Sequence, residues 1–177
     1  MDLLATWIGP PIQDSFADLL SHRGPEVAAE AVKIFRERFT EIGIYENEVY
    51  GGIPEALDGL KSSSSTLLIA TSKPEPFAIR VLDHFGLSEF FSGVYGSRFD
   101  GGLSNKGDLI EHLLLQESLS ASDAVMVGDR KHDVLGAVRN GIPCVGVLYG
   151  YGTREELLEA GAIGLCERPL DLLKILG

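Results

Sequence analysis

Along the first sixty residues apolar side chains recur at helical spacing; beyond them they gather into short continuous runs. Residues 12–21 and 25–42 read as two helices. Val27, Ala28, Ala31, Ile34, Phe35 and Phe39 repeat at helical intervals, and Pro25 suits a first helical turn. A short helix is predicted over 54–61, and the serines at 62–65 read as a polar turn before a strand. Apolar runs then predict strands at 66–70, 91–95, 124–127, 144–148 and 163–166. Between and after them, helices are predicted at 74–85, 106–117, 131–140, 154–160 and 170–176, with a Gly-rich loop over 96–105. Continuous apolar strands alternating with helices predict an α/β fold, a three-layer, Rossmann-like parallel sheet covered on both faces. The helical stretch 1–48 stands apart as a small cap, and 49–177 form the core.

Size and charge narrow the classes. With 177 residues, 45% hydrophobic and 23% charged, the chain suits one soluble globular domain with a small appendage. A net charge of −11 repels phosphate backbones, so no nucleic-acid partner is expected, and a phosphorylated substrate needs a local positive site such as a bound cation. No apolar run approaches a membrane span, and the start, MDLLATWIGPP, does not read as a signal peptide. Cys144 and Cys166 lie far apart in apolar runs and read as buried core thiols, which fits a reducing cytoplasm.

In open parallel sheets ligands bind at the carboxyl ends of the strands. The run at 66–70 ends in Thr71-Ser72-Lys73, the loop after the second strand leads to Lys106, and the run at 124–127 ends in Gly128-Asp129, with Asp133 four residues on. A hydroxyl and a backbone N–H at a helix start can hold phosphate oxygens. A lysine supplies a point charge. Two carboxylates at i,i+4 suit Mg²⁺, which also keeps waters and takes substrate oxygens. Together these parts suit phosphoryl transfer. Taken singly, each has a plainer reading: Thr71 as a helix N-cap, Lys106 as a solvated side chain, Asp129 as an N-cap, and Asp133 as a first-turn charge.

LLIATSKP, LSNKGDLI and AVMVGDRKHDV resemble the second, third and fourth motifs of the haloacid dehalogenase superfamily. WIGPPIQDSF and VYGGIPEALDGLK resemble the end of the helical cap and the return to the core in its phosphoglycolate phosphatase-like branch. The resemblance implies a Mg²⁺-dependent phosphatase acting on a small phosphorylated metabolite, such as phosphoglycolate or a nucleoside monophosphate. It implies that Thr71, with Ser72, binds the phosphoryl group and that Lys106 stabilises its charge. It implies that Asp129 ligates Mg²⁺ and that Asp133 supports the metal and its waters. A homodimer is left open.

One motif departs. The superfamily's first motif, Asp-x-Asp-Gly-Thr on an N-terminal strand, carries the nucleophile and the general acid–base. No Asp-x-Asp occurs in these 177 residues. Asp100, in RFDGG, reads as a turn residue, and Asp2 has no strand before it. The resemblance implies that the missing strand belongs between the first and third strands here, which leaves a gap of about 10 Å or two strand spacings. Three resolutions are expected: a longer natural protein of which this chain is an inactive piece with only the second half of the cap, direct pairing of the two flanking strands, or a strand donated by another chain. The alternative function is a non-catalytic phosphate-binding or strand-exchanging protein of the same fold. His22, His84, His112 and His132 show no metal spacing. Trp7 and Phe16 read as cap packing; Arg130 and Lys131, beside Asp129, read as solvated surface rather than substrate contacts; and Tyr149 and Tyr151 flank a Gly-rich loop near the sheet edge and carry no assigned role.

Overall fold

The computed structural model describes residues 11–176. Asp2 and Trp7 lie outside the described residues. The chain divides into two compact units, Met1–Glu48 and Val49–Gly177. In the first, helices α1 (Ile12–Leu19) and α2 (Pro25–Glu41) pack together, with Pro25 at the start of α2 where its missing N–H costs nothing. The seam is aromatic: Phe16 meets Phe35 edge-on at 6.1 Å and Phe35 stacks on Phe39 at 5.6 Å. Ala28, Val32 and Ile44 are buried, whereas Val27 and Ile34 are 42% and 58% exposed, so the stripe is narrower than the apolar pattern of α2 predicts.

In the second unit α3 (Ile53–Ser62) leads into β1 (Leu68–Pro74), α4 (Glu75–His84) and β2 (Gly93–Ser97). Then follow α5 (Lys106–Glu117), β3 (Met126–Gly128), α6 (Lys131–Arg139), β4 (Cys144–Val147), α7 (Arg154–Glu159), β5 (Gly164–Cys166) and α8 (Leu172–Leu176). The α/β class, with parallel strands joined by helical crossovers, stands as the sequence predicts. Two findings differ in detail. The first strand runs on through Pro74, with an irregularity between Thr71 and Pro74 as it follows β2, so Thr71-Ser72-Lys73 stand within the strand. Among the described residues β1 does not pair directly with β3: the strands form two sheets, ordered β1-β2 and β3-β4-β5.

Helices join these half-sheets on one side. α5 packs on β1 and β2, α6 packs on β3 and β4, and α5 crosses α6 closely. A small residue sets that distance: a Cβ on Gly136 would stand 2.7 Å from Lys106 Cγ and 3.1 Å from Gly107 N. Asn140 staples the crossing, its Nδ2 donating to the carbonyls of Gly107 and Gly136, both at 2.9 Å. The main core is Ile110 of α5 with Val134, Ala137, Ile142, Cys144 and Leu157. A second cluster joins Val145, Val147, Cys166 and Leu172. Both cysteines are buried and unbridged.

Candidate functional site

Lys106 is placed by its helix start. Asn105 Oδ1 accepts from the N–H groups of Gly107 (2.9 Å) and Asp108 (3.3 Å), capping α5 and fixing Lys106 as its first residue. Its side chain is not solvated; it is 9% exposed. Nζ donates to the Ala70 carbonyl at 2.9 Å and pairs with Asp133 Oδ1 at 3.0 Å. One ammonium therefore ties β1 of one half-sheet to α6 of the other. Sealed from water, such a contact is much stronger than on a surface, and each partner depends on the other.

Asp133 has both oxygens engaged, since Oδ2 accepts from the Arg130 N–H at 3.1 Å. Asp129 stands just past Gly128, the last residue of β3. Neither Asp129 nor Thr71 is an N-cap: Arg130 caps α6 and Pro74 caps α4. The Asp129 carboxylate is gripped by the loop after β4. Its Oδ2 accepts from the Tyr151 N–H at 2.9 Å. A Cβ on Gly150 would lie 2.3 Å from Asp129 Cβ, and one on Gly152 2.1 Å from the Asp129 carbonyl oxygen. Only glycine lets the loop come so near. On the β1 side, Thr71 Oγ1 accepts from the Lys73 N–H at 3.1 Å, which leaves the hydroxyl proton to donate elsewhere. Ser97 Oγ donates to the Ser72 carbonyl at 2.8 Å. Burial pushes the Lys73 ammonium below its ordinary range.

Arg130 is not solvated surface. Its side chain is 12% exposed and its Nε donates to Glu156 Oε1 at 2.9 Å, which also accepts from the Lys131 N–H at 2.8 Å. Burial acts to raise the Glu156 carboxyl, but that N–H and the Arg130 guanidinium outweigh it and hold the group below its ordinary 4.5. Asp100 is a turn residue, its Oδ1 accepting from Gly102 N at 2.9 Å.

Lys106 thus joins Asp133 to the Ala70 carbonyl directly, and Asp129 stands just past the end of β3. The sequence carries no sign of Glu156, which orients the start of α6, and it shows the Gly-rich loop at Tyr149-Gly150-Tyr151-Gly152 without giving it a role. Alternating glycines beside a strand end were the one visible signal for the loop.

A family model described as haloacid dehalogenase-like hydrolase matches residues 1–147. The chain belongs to the haloacid dehalogenase-like hydrolases. It is 46% identical over 155 residues to a 5'-nucleotidase of Pseudomonas aeruginosa, covering 87% of this chain and 69% of that protein. It is 38% identical over 151 residues to the tyrosine-protein kinase PtkA of Mycobacterium tuberculosis, covering 85% of this chain and 51% of that one. The chain therefore spans about half to two-thirds of the length of these two relatives. Among solved structures, a predicted phosphatase from Clostridium acetobutylicum superposes with a TM-score of 0.92 at 39% identity, over 98% of this chain and 80% of its own. Among the described residues of this haloacid dehalogenase-like hydrolase, no helix is long and apolar enough to cross a membrane.

Proposed function

We propose that this chain carries most of the site of a Mg²⁺-dependent phosphomonoesterase acting on a small phosphorylated metabolite, such as phosphoglycolate or a nucleoside monophosphate. The observation that carries the reading is the Lys106 ammonium, held between the Ala70 carbonyl and Asp133 at the strand ends. Phosphoryl transfer needs positioning and charge neutralisation above all, and these residues supply both. The Thr71 hydroxyl, already accepting from Lys73 N–H, is set to donate to a phosphoryl oxygen, with Ser72 beside it. Lys106 neutralises that oxygen's charge and holds Asp133 in place.

The donor set suits Mg²⁺ with a shell completed by waters and phosphate oxygens. Among the described residues no three His, Cys, Asp or Glu side chains gather to hold a metal. Mg²⁺ needs no such cage; it takes one or two carboxylates and fills its shell with waters and phosphate oxygens. Asp129 fits, because among the described residues only its Oδ2 is engaged, by the Tyr151 N–H. Asp133, with both oxygens engaged, acts through the groups it holds and through water. When bound, the ion supplies positive charge that the net −11 of the chain otherwise lacks. The unit Met1–Glu48 is read as a partial helical cap, and the cytoplasm as the location.

Because no Asp-x-Asp occurs in these 177 residues, the chain alone is expected to turn over p-nitrophenyl phosphate with Mg²⁺ near background. Fusing a strand that ends in Asp-x-Asp-Gly-Thr ahead of Met1 is expected to restore turnover, and Asp129→Ala to abolish it again. Clear turnover by the unfused chain, lost in Asp129→Ala, would overturn the claim that the nucleophile is absent. A fused protein inactive on a panel of phosphorylated metabolites would sink the enzyme reading.

A second reading, a strand-exchanging protein, is favoured by one observation. Among the described residues β1 pairs only with β2 and β3 only with β4, which leaves an edge of each unpaired. Light scattering separates the two: a dimer whose assembly protects β1 and β3 amides supports exchange, and a monomer at all concentrations rules it out.

A further inference from the structure

Three tyrosines meet beside Asp129. Tyr50 lies just before α3, and Tyr149 and Tyr151 follow β4, the strand paired with the one that presents Asp129. The Tyr50 and Tyr149 rings meet edge to face, 5.5 Å apart at 66°. Tyr151 is tied by its own N–H on Asp129 Oδ2 at 2.9 Å.

Packing accounts for only one of the three. Tyr149 is half-buried and joins Val145, Val147, Cys166 and Leu172 at the edge of the second core cluster. Tyr50 and Tyr151 are 44% and 54% exposed. Neither is loose, however. Tyr50 is braced by Tyr149, and Tyr151 sits between Gly150 and Gly152, which approach Asp129 too closely to admit a side chain. Two exposed aromatic surfaces are thereby fixed in advance next to a carboxylate of the proposed phosphate site. A ligand stacking on them orders little that is not already ordered, which is the condition for affinity from few contacts.

We propose that Tyr50 and Tyr151 form a platform for the base of a nucleoside monophosphate whose phosphate occupies the site of Thr71, Lys106 and Asp129. The assignment rests on the phosphatase reading above and selects within it. Phosphoglycolate has no π-face and gains nothing from exposed rings, whereas every nucleobase can stack on tyrosine, at a worth of roughly ten- to a hundredfold in affinity per base. The Tyr50 phenol, which like any tyrosine is neutral at physiological pH, can also hydrogen-bond a base edge.

The nucleophile-free chain is the right protein for the test, because binding is read without hydrolysis. Calorimetric titration with Mg²⁺ present compares AMP, ribose 5-phosphate and inorganic phosphate. AMP is expected to bind at least about tenfold tighter than ribose 5-phosphate. Tyr151→Leu and Tyr50→Leu are expected to erase that advantage while ribose 5-phosphate still binds as before; Tyr151→Phe, which keeps the ring, is expected to retain it. Equal affinity for AMP and ribose 5-phosphate, or an adenine advantage that survives both leucine variants, overturns the platform and leaves the phosphate site standing. Failure of all three phosphates to bind overturns the phosphate site and the platform with it.

Discussion

Lys106 illustrates what a single residue carries in this molecule. Its ammonium and the Asp133 carboxylate are 9% and 12% exposed, so removing either leaves the other charged, dry and unpaired. Lys106→Met is expected to cost about 3–5 kcal/mol in urea unfolding, and the double variant with Asp133→Leu to recover much of that. A single variant within 1 kcal/mol of the parent would show that water reaches the pair. Gly150→Ala tests the loop. The new methyl falls on Asp129, so a loss of about 1–3 kcal/mol is expected, read by thermal unfolding. At this scale the sequence marked Thr71 and Asp129 because they follow apolar runs directly, and it marked Lys106 a loop beyond such a run and Asp133 one helical turn beyond Asp129. It was silent where a role depends on a distant neighbour. Glu156 lies 26 residues from Arg130, and only folding brings the two together. The grip of Gly150 and Gly152 on Asp129 is a matter of approach distance, which no spacing in the chain encodes.

Elements were legible where periodicity was strong. α2, α5 and α6 begin at or close to the predicted positions because Pro25, Asn105 and the Gly128-Asp129 turn mark their starts. β1 was less legible, since Thr71-Ser72-Lys73-Pro74 carries turn-like residues and pairing with β2 overrides that preference through Pro74. Between elements, Glu156 joins α7 to the start of α6. Glu156→Gln is expected to cost about 1–2 kcal/mol at neutral pH. The pH dependence has a definite sign. The folded-state carboxyl lies below its ordinary 4.5, so the unfolded chain takes up this proton first. The stabilisation is complete above about 4.5 and is lost as pH falls through the lower folded value. Unfolding curves between pH 3 and 7 should therefore converge for parent and variant at the acid end; a difference that persists there would assign the loss to packing.

For the whole molecule, the decisive feature is a parallel sheet in two pieces held by helices. β4 is buried along its length, as a central parallel strand should be, whereas β1 is half-exposed throughout and Val125, just before β3, is 41% exposed. The apolar runs of β1 and β3 are central-strand sequences, yet each stands at an edge among the described residues. α5 and α6 keep the two pieces together through their crossing at Gly136 and through Lys106, which contacts both. A strand entering between them would satisfy free N–H and C=O groups on both sides and cover apolar side chains. The fused Asp-x-Asp-Gly-Thr strand should therefore stabilise as well as activate. Hydrogen exchange is expected to slow at β1 and β3 while β4 and β5 change little. A gain of only 1 kcal/mol would raise Tm by about 2–4 °C in a chain of this size. If the fusion restored turnover with β1 and β3 exchanging as fast as before, the strand would be acting outside the sheet. The edges of β1 and β3 would then not be the place it enters.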